Sequence, residues 1–341
     1  MRALVATAAL FASAALADDI PPLPAGISNN AVASANVDGT PVLYSFAGIG
    51  GDFTHQAIHA RTYRYRTGEP AWQRIDDIPG RIGRLAATAV TVAGTIYLFG
   101  GYEVSADGSE RSLPDVHALN PATGSYTRRA DMPVPVDDTV ALVYADRYIY
   151  LVSGWHDVGN VNLTQRYDTE TDTWQQATPW PGPAVFGHVG AISDTTLVVC
   201  DGVTINNATL PRRFVMSAAC YRGDIDADNP RRINWQQLPP HPGGACYRAT
   251  AQADGARLLF AGGADNPYNY TGIGYNDIPA KPCQHRYSYS VTDNRWLRER
   301  DDTDATMDHR ALLRWHGEWV VVGGMRTPNK AEKAVRRLPP W

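Results

Sequence analysis

Six copies of a short apolar run that ends in glycine constrain this chain more than any other feature of its sequence. In the copy "IYLFGGYE", the residues from Ile96 to Phe99 are aliphatic or aromatic, and the run stops at Gly100 and Gly101. Glycine at the end of a strand marks a bend or a close backbone approach, because glycine reaches the required backbone angles at little cost. Successive copies begin at 46, 98, 151, 199, 259 and 321. A period of roughly 50 to 60 residues predicts an array of similar β units.

A second set of landmarks keeps the same phase. Aromatic residues occupy equivalent places in strands that follow the glycine runs: Trp72, Tyr126, Trp174, Trp235 and Trp296. Here the chain resembles the kelch-repeat β-propeller family, in which a repeat of about 50 residues forms one four-stranded blade. The resemblance covers essentially the whole mature chain. It implies an all-β fold, a six-bladed kelch-type β-propeller.

The sixth copy is incomplete. After Gly323 and Gly324 the chain offers enough residues for one more strand but hardly two. The segment "DDIPPLP" at 18–24 has the pattern of a final strand followed by a proline turn. We therefore expect an N-terminal strand in the last blade, which closes the ring and leaves only short, protected edges.

The N-terminus also predicts the compartment. Arg2 precedes an apolar stretch at 3–16, and Ala15-Leu16-Ala17 precedes Asp18-Asp19, which predicts a signal peptide 1–17 cleaved after Ala17. The mature chain 18–341 is then a single periplasmic or secreted propeller domain. We expect no membrane insertion, because no later apolar run reaches about 20 residues. A net charge of −4 gives no indication of nucleic acid as a partner, and the sequence does not predict the oligomeric state.

The four cysteines are candidates for disulfides in an exported protein. Antiparallel pairing within a blade favours Cys200–Cys220 and Cys246–Cys283, and free buried thiols are the alternative. A metal site is not expected, because the cysteines lack C-x-x-C spacing. No motif for a cofactor was found.

The entrances to the inner strands suggest a binding site at one mouth of the central channel. Aligning the six inner strands on their small residues gives a ring of candidates, one for each blade: Asn30, Arg84, Asp138, His188, Arg248 and Arg310. Three arginines at one mouth are suited to a carboxylate or another anion. The alternative is that such arginines bond the backbone of neighbouring blades.

The loops after the glycines should surround the same mouth. The loop at 264–282 in blade five is long and rich in Asn, Tyr and Gly, which favours a loop that covers a ligand. Its Tyr268 is a candidate for stacking on a sugar ring, and exposed tyrosines without a ligand are the alternative.

The chain resembles the periplasmic sialic acid mutarotases, also called N-acetylneuraminate epimerases. The resemblance lies in the predicted compartment, the six blades and the long loop of blade five. This resemblance implies a small acidic sugar as substrate and ring opening by an acid and a base. It also implies a catalytic glutamate just after the glycine of blade four, where this chain has Val203. The arginine that the resemblance implies a few residues later has candidates in Arg212 and Arg213, which could bind the substrate. Asp138, His188 and Glu103 are the candidates for the acid–base role, and Asp157 and Asp201 are further alternatives for it. A glycan- or protein-binding module without catalysis is the main alternative, and a copper oxidase is a distant third.

Overall fold

The computed structural model describes residues 19–80, 83–208 and 213–341. Its regular structure is almost entirely antiparallel β-sheet, with one short 3₁₀ turn at His55–Ala57 in the described part of the chain. Five sheets have four strands and a sixth has three, and the strands of each sheet follow one another in chain order. The fold is therefore the predicted all-β, six-bladed propeller. The predicted signal peptide lies outside the described residues.

The first strand of each blade is innermost, and most neighbouring first strands contact each other around the axis. The blades contain, in order, Ala31–Val37, Thr40–Ile49, Ile58–Arg66 and Gln73–Ile75; Thr88–Val92, Thr95–Phe99, Val116–Leu119 and Tyr126–Arg129; Val140–Tyr144, Tyr148–Val152, Thr164–Asp168 and Thr173–Gln176; Val189–Ser193, Thr196–Cys200, Cys220–Ile225 and Ile233–Gln237; Thr250–Asp254, Arg257–Ala261, Tyr287–Ser290 and Arg295–Arg298; and Leu313–Trp315, Glu318–Val322 and Val335–Arg337. Short hairpins extend from the loops between second and third strands: Tyr102–Val104 with Glu110–Ser112, Trp155–His156 with Gly159–Asn160, Val203–Asn206 with Arg213–Met216, and Met325–Thr327 with Lys330–Ala331.

The second strands are mostly apolar because both of their faces are buried. In blade two, Ile96 and Leu98 pack into the core shared with blade one. Tyr97 and Phe99 point the other way, into the core shared with blade three. Alternate residues of a strand face opposite sides, so a strand between two blades needs apolar residues at every position. Burying one such side chain stabilises the fold by about 1.5–3 kcal/mol.

The glycines let the second strand leave the blade close to the inner strand. Gly101 has φ +85°, and a Cβ there would lie 2.4 Å from the carbonyl oxygen of Leu85. The next residue, Tyr102, forms a β-bridge with Leu85. The glycine run therefore brings the loop after the second strand beside the entrance to the inner strand, at one mouth of the channel.

The N-terminal segment closes the ring as a hydrogen-bonded segment that is not a regular strand in residues 19–27. The N–H of Leu23 donates to the carbonyl of Lys333 at 2.7 Å. In blade two, Met132 bonds Pro114 in the same way, at 2.9 Å. Leu23 is buried in the core between blades six and one. These contacts occupy the place of the turn after a fourth strand.

Both predicted disulfides are present. Cys200 and Cys220 lie directly opposite each other on the second and third strands of blade four, with Cα atoms 4.1 Å apart. Cys246 and Cys283 form the second bridge, beside the entrance to blade five. In residues 19–80, 83–208 and 213–341 we find no helix that is long and apolar enough to span a membrane.

Candidate functional site

One backbone feature recurs at the mouth of every blade. A β-bridge joins the segment before each inner strand to the residue after each glycine run, and the residue after this bridge always has positive φ, between 51° and 68°. We call these six residues the mouth ring: Asn29, Ala86, Asp138, Gly187, Arg248 and Asp308. Backbone hydrogen bonds link several of them from blade to blade, as from Arg248 N–H to the Gly187 carbonyl at 2.7 Å.

The mouth ring shares only Asp138 and Arg248 with the ring that the sequence predicted. Asn30 and His188 lie one residue beyond the mouth-ring position, and Arg84 lies two residues before it. Arg310 lies two residues after Asp308, and its side chain reaches the same centre. Side chains at Asn29 and Asp308 complete the charged centre.

Asp138 holds two arginines from other blades. Its carboxylate accepts from Nε and Nη2 of Arg248, at 3.0 and 2.6 Å to Oδ2. Arg310 donates to its other oxygen through Nη1. The Tyr247 hydroxyl also donates to Oδ2, at 3.1 Å. Blades three, five and six thus meet at one buried carboxylate.

Asp308 and Asn29 surround this pair from blades six and one. The Asp308 carboxylate lies 3.4 Å from Nη1 of Arg248 and 3.7 Å from Nη2 of Arg310. It also accepts from the Ser28 hydroxyl. The Asn29 side-chain oxygen accepts from Nη2 of Arg310 at 2.7 Å. The cluster therefore contains two arginines and two aspartates, nearly all of it shielded from water.

The long loop of blade five covers the cluster. The backbone oxygen of Asn269 accepts from Nη1 of Arg248 at 2.6 Å. Its side chain accepts from the Tyr102 hydroxyl at 2.8 Å and donates to Glu110 at 2.6 Å. Tyr268, next to it, is fully buried, with its ring 5.3 Å from the Arg248 guanidinium. Residue 269 thus connects the loop to blades two and five at the mouth.

Several polar groups of the cluster have no hydrogen-bond partner within the described part of the chain. They are the Tyr268 hydroxyl, Nδ2 of Asn29 and Nε of Arg310. Buried polar groups are normally paired, and an unpaired buried group costs about 1–3 kcal/mol. All three can donate, so an oxygen-rich ligand is the chemistry that would satisfy them. Below the cluster, the inner strands line a channel cavity of about 320 Å³.

Neighbouring acids at the mouth have pKa values that shift in opposite directions. Burial tends to raise the pKa of Asp138, but Arg248 and Arg310 outweigh it and lower this pKa to about 2. Burial raises the pKa of Asp137 well above its ordinary value, and the hydrogen bond from Ser112 offsets only part of this. Two environments side by side therefore shift the pKa values of these two carboxyl groups in opposite directions.

Three residues of the predicted ring form hydrogen bonds with groups of the blades and do not contact the charged cluster at the mouth. Arg84 lies 2.7 Å from Asp115 in its own blade and also donates to the Gly100 carbonyl. Nε2 of His188 lies 2.7 Å from the Val152 carbonyl, which can only accept, so Nε2 carries the proton. Burial lowers the pKa of His188 to about 4. Asn30 donates to Ser45 at 2.9 Å.

Glu103, Asp157 and Arg213 lie in or beside the hairpins. Glu103 is ion-paired with Arg111, with its Oε1 2.5 Å from Nη2 and 2.7 Å from Nε. Arg213 is exposed at the start of the strand Arg213–Met216, and Arg212 lies outside the described residues. Asp157 accepts from the backbone of Ser112. Sequence reasoning missed Asn29, Asp308, Asn269 and Glu110. A signal was present only for Asn29 and Asp308, since Asn and Asp are enriched among residues with positive φ.

A separate group lies between blades four and five. Ligand atoms of Asp201, Cys220 and His241 are within 4.8 Å of one another. Cys220 is bonded to Cys200, and Nε2 of His241 lies 2.7 Å from the Asp201 carboxylate. Nδ1 of His241 accepts from Gly243, so Nε2 is the donor to Asp201. These contacts already use the atoms that would bind an ion.

Comparison with known proteins agrees with this architecture. The kelch motif model matches residues 83–133, which cover most of blade two. Kelch-like protein 15 of Gallus gallus is 30% identical over 114 residues, which are 33% of this chain and only 23% of that protein. N-acetylneuraminate epimerase of Escherichia coli O1:K1 is 22% identical over 306 residues, 76% of this chain and 78% of that protein. The structure of YjhT superimposes with a TM-score of 0.71 at 17% identity, covering 94% of this chain and 97% of that one. The resemblance to kelch propellers and to N-acetylneuraminate epimerase is thus confirmed.

Proposed function

We propose that this chain interconverts the anomers of a free sugar acid of the sialic acid type. The observation that carries the proposal is the pair of buried arginines, Arg248 and Arg310, which converge on one carboxylate beneath a covering loop. Arginine binds carboxylates through a planar fork of donors, and a buried fork is stronger than an exposed one. The likeness to an N-acetylneuraminate epimerase over most of both chains supports this class of substrate.

The loop of blade five indicates where the carboxylate of a substrate would bind. Nη1 of Arg248 is held by a backbone carbonyl, that of Asn269, at 2.6 Å. A ligand oxygen can take this place when the loop lifts, because the other donors of Arg248 stay on Asp138. The unpartnered groups of Tyr268 and Asn29 would then bind further oxygens of the sugar.

The charges of the cluster make binding sensitive to protons. Asp138 and Asp308 already balance Arg248 and Arg310, so a ligand carboxylate adds a negative charge to a buried site. Burial raises the pKa of Asp137 well above its ordinary value, so Asp137 is the group that can hold the proton that offsets this charge. We therefore expect binding to weaken as the pH rises.

We also propose that the chain is exported, since its four cysteines form two disulfides and the sequence predicts a signal peptide. Disulfides persist in oxidising compartments such as the periplasm. Expression with residues 1–17 in a bacterial host, followed by fractionation and N-terminal sequencing, tests this point. A chain that keeps Met1 and stays in the cytoplasm would contradict it.

The enzymatic proposal is tested by dissolving a crystalline sugar acid, which is a single anomer, and following anomer exchange by proton NMR with and without the protein. The matched control is a neutral sugar of similar size. We expect acceleration for the sugar acid only, because the neutral sugar has no group for the arginines. Equal rates with and without the protein, for sialic and uronic acids alike, would exclude the reaction.

A binding module without catalysis is the second candidate. The large apolar side chains most exposed in the described ranges are Val158, Val215, Tyr275 and Ile278, and all four lie in mouth loops of blades three to five. Tyr275 stacks on Phe214 with ring centroids 4.0 Å apart and is 44% exposed. Such a rim suits a glycan or a protein partner. Ligand binding without faster anomer exchange would favour this candidate.

A further inference from the structure

We propose that Glu110 is the acid–base group of this site, an inference that rests on the mutarotase proposed above. The resemblance implies a glutamate after the glycine of blade four, but Val203 is there, fully buried in the apolar cluster of the mouth. An acid that serves the same centre must come from another blade. Glu110, in the hairpin of blade two, is the carboxyl group whose surroundings suit this role.

The hairpin directs Glu110 towards the mouth. Tyr102 pairs with Ser112, Glu103 with Arg111, and Val104 with Glu110. Paired residues share one face of a hairpin, and alternate residues point to opposite faces. Glu110 therefore shares a face with Ser112 and Tyr102, which is buried in the mouth. Glu103 lies on the other face with Arg111.

Glu110 is also tied to the arginine that would bind the substrate. Its Oε1 accepts from Nδ2 of Asn269 at 2.6 Å. The backbone oxygen of the same Asn269 accepts from Nη1 of Arg248 at 2.6 Å. One residue of the covering loop thus spans the gap between the carboxyl group and the guanidinium. A small sugar acid that displaces Asn269 would contact both.

Glu110 remains open to solvent on one side, so a sugar can reach it. Crowding on its other side raises its pKa by desolvation, while the bonds from Asn269 and the charge of Arg248 oppose the rise. The titratable groups around it are Arg248, Tyr102, Tyr275 and Asp137. A carboxyl group whose pKa is closer to neutrality transfers protons more effectively in both directions.

The reaction step can be written in full. The Glu110 carboxylate takes the proton of the anomeric hydroxyl group. The oxygen of that hydroxyl group then forms a carbonyl with the anomeric carbon, while the bond from that carbon to the ring oxygen breaks. The ring oxygen keeps the electron pair and takes a proton from water. After rotation about the adjacent carbon–carbon bond, the ring oxygen attacks the other face of the carbonyl and returns its proton to hydroxide. Glu110 then gives its proton to the new anomeric oxygen.

The test compares Glu110→Gln with Asp107→Asn in the anomer-exchange assay. Glutamine still accepts from Asn269 through its side-chain oxygen, so the loop contact is kept while proton transfer is lost. We expect kcat to fall by about 100-fold or more with KM within about threefold, since general acid–base catalysis contributes about 10²–10⁴. Asp107 is exposed in the same hairpin and accepts from the backbone and hydroxyl of Ser109, which asparagine also allows, so Asp107→Asn should behave as wild type.

The outcomes separate the two proposals. If wild type is active and Glu110→Gln keeps more than half of its kcat, the assignment of Glu110 is wrong while the proposed function stands. If wild type is inactive, the proposed function fails and the role of Glu110 fails with it. Glu110→Asp adds a readout that a purely structural role would not move: partial activity with a shifted pH profile. Circular dichroism of each variant checks that the fold is kept.

Discussion

Arg84 and Arg248 are both buried arginines a few residues ahead of an inner strand, yet they belong to different structures. Arg84 bonds Asp115 at 2.7 Å within its own blade, and Asp115 also bonds His117 at 2.9 Å. Arg248 bonds Asp138 at 2.6 Å across the mouth, from blade five to blade three. One pair stabilises a blade, and the other joins blades at the centre of the molecule.

The difference follows from register. Arg248 lies directly after its β-bridge residue, Tyr247, and has positive φ, whereas Arg84 lies directly before its bridge residue, Leu85. A shift of two residues moves the guanidinium from the axis into the blade. Arginine content at a propeller mouth therefore says little about binding until the bridge and the positive-φ residue are located.

The largest effect should come from removing the shared carboxylate of the mouth. Asp138→Asn leaves Arg248 and Arg310 buried with less negative charge, and breaking a buried pair costs about 3–5 kcal/mol. Chemical denaturation with the disulfides intact measures this loss. Asp115→Asn is the matched variant and should cost less, because it leaves only Arg84 as a buried arginine without its carboxylate. Equal losses would mean that the two centres contribute alike to stability.

Arg84→Met tests the same comparison by removing the arginine of the pair within the blade. We expect a loss of about 3 kcal/mol, at the low end for a buried pair, because Asp115 keeps His117 as a partner. Ligand affinity should stay within about twofold of wild type, since Arg84 does not reach the mouth cluster. Isothermal calorimetry with a sugar acid measures the affinity. A tenfold loss of affinity in a folded variant would place Arg84 in the binding site after all.

Acid should affect the two centres alike. The pKa of Asp115 is lowered to about 2 because the His117 hydrogen bond and Arg84 outweigh its burial, and the pKa of Asp138 is lowered to about 2 by two arginines. A lowered pKa contributes stability that is present above about pH 4 and is lost as the pH falls to 2, roughly 2 kcal/mol for each group. Denaturation curves at pH 5 and pH 2.5 measure the loss. Each Asp→Asn variant should show a smaller loss than wild type, and an unchanged loss would show that its carboxylate does not titrate with folding.

The sequence was sufficient to predict the six blades because each blade is formed by residues that lie close together in the chain. The glycine runs, the aromatic strands and the cysteine pairs are set by neighbours within about 50 residues, so their spacing predicts the fold and both disulfides. The mouth depends on residues from different blades. Asn29 was missed because nothing in its local sequence shows that it meets Arg310, and Asp308 because nothing local shows that it meets Arg248 of blade five. Both have the residue type that positive φ favours.

In the hairpin of blade two, the sequence also failed to predict which residues face the mouth, although these residues lie close together in the chain. Glu103 lies two residues after the glycines and was one of the three acid–base candidates, with Asp138 and His188, but strand pairing places it on the face with Arg111. Glu110 is in the returning strand, where the loop length decides which residues share a face with Tyr102. Strand register across a five-residue loop is weakly specified by sequence, and a shift of one residue exchanges the two faces.

His188 gives the smallest effect and the last test of register. It lies one residue beyond the mouth ring, and its Nε2 donates to the Val152 carbonyl of the neighbouring blade. Glutamine can donate a similar bond, so we expect His188→Gln to lose only about 1 kcal/mol, the contribution of one hydrogen bond. Burial lowers the pKa of His188 to about 4, so the imidazole stays neutral between pH 5 and 8. The pH profile of anomer exchange should therefore be the same in His188→Gln as in wild type. A variant that folds normally but loses a step in that profile near pH 6 would contradict this expectation. It would mean that His188 titrates in the catalytic cycle and that the site extends from the mouth ring into the channel.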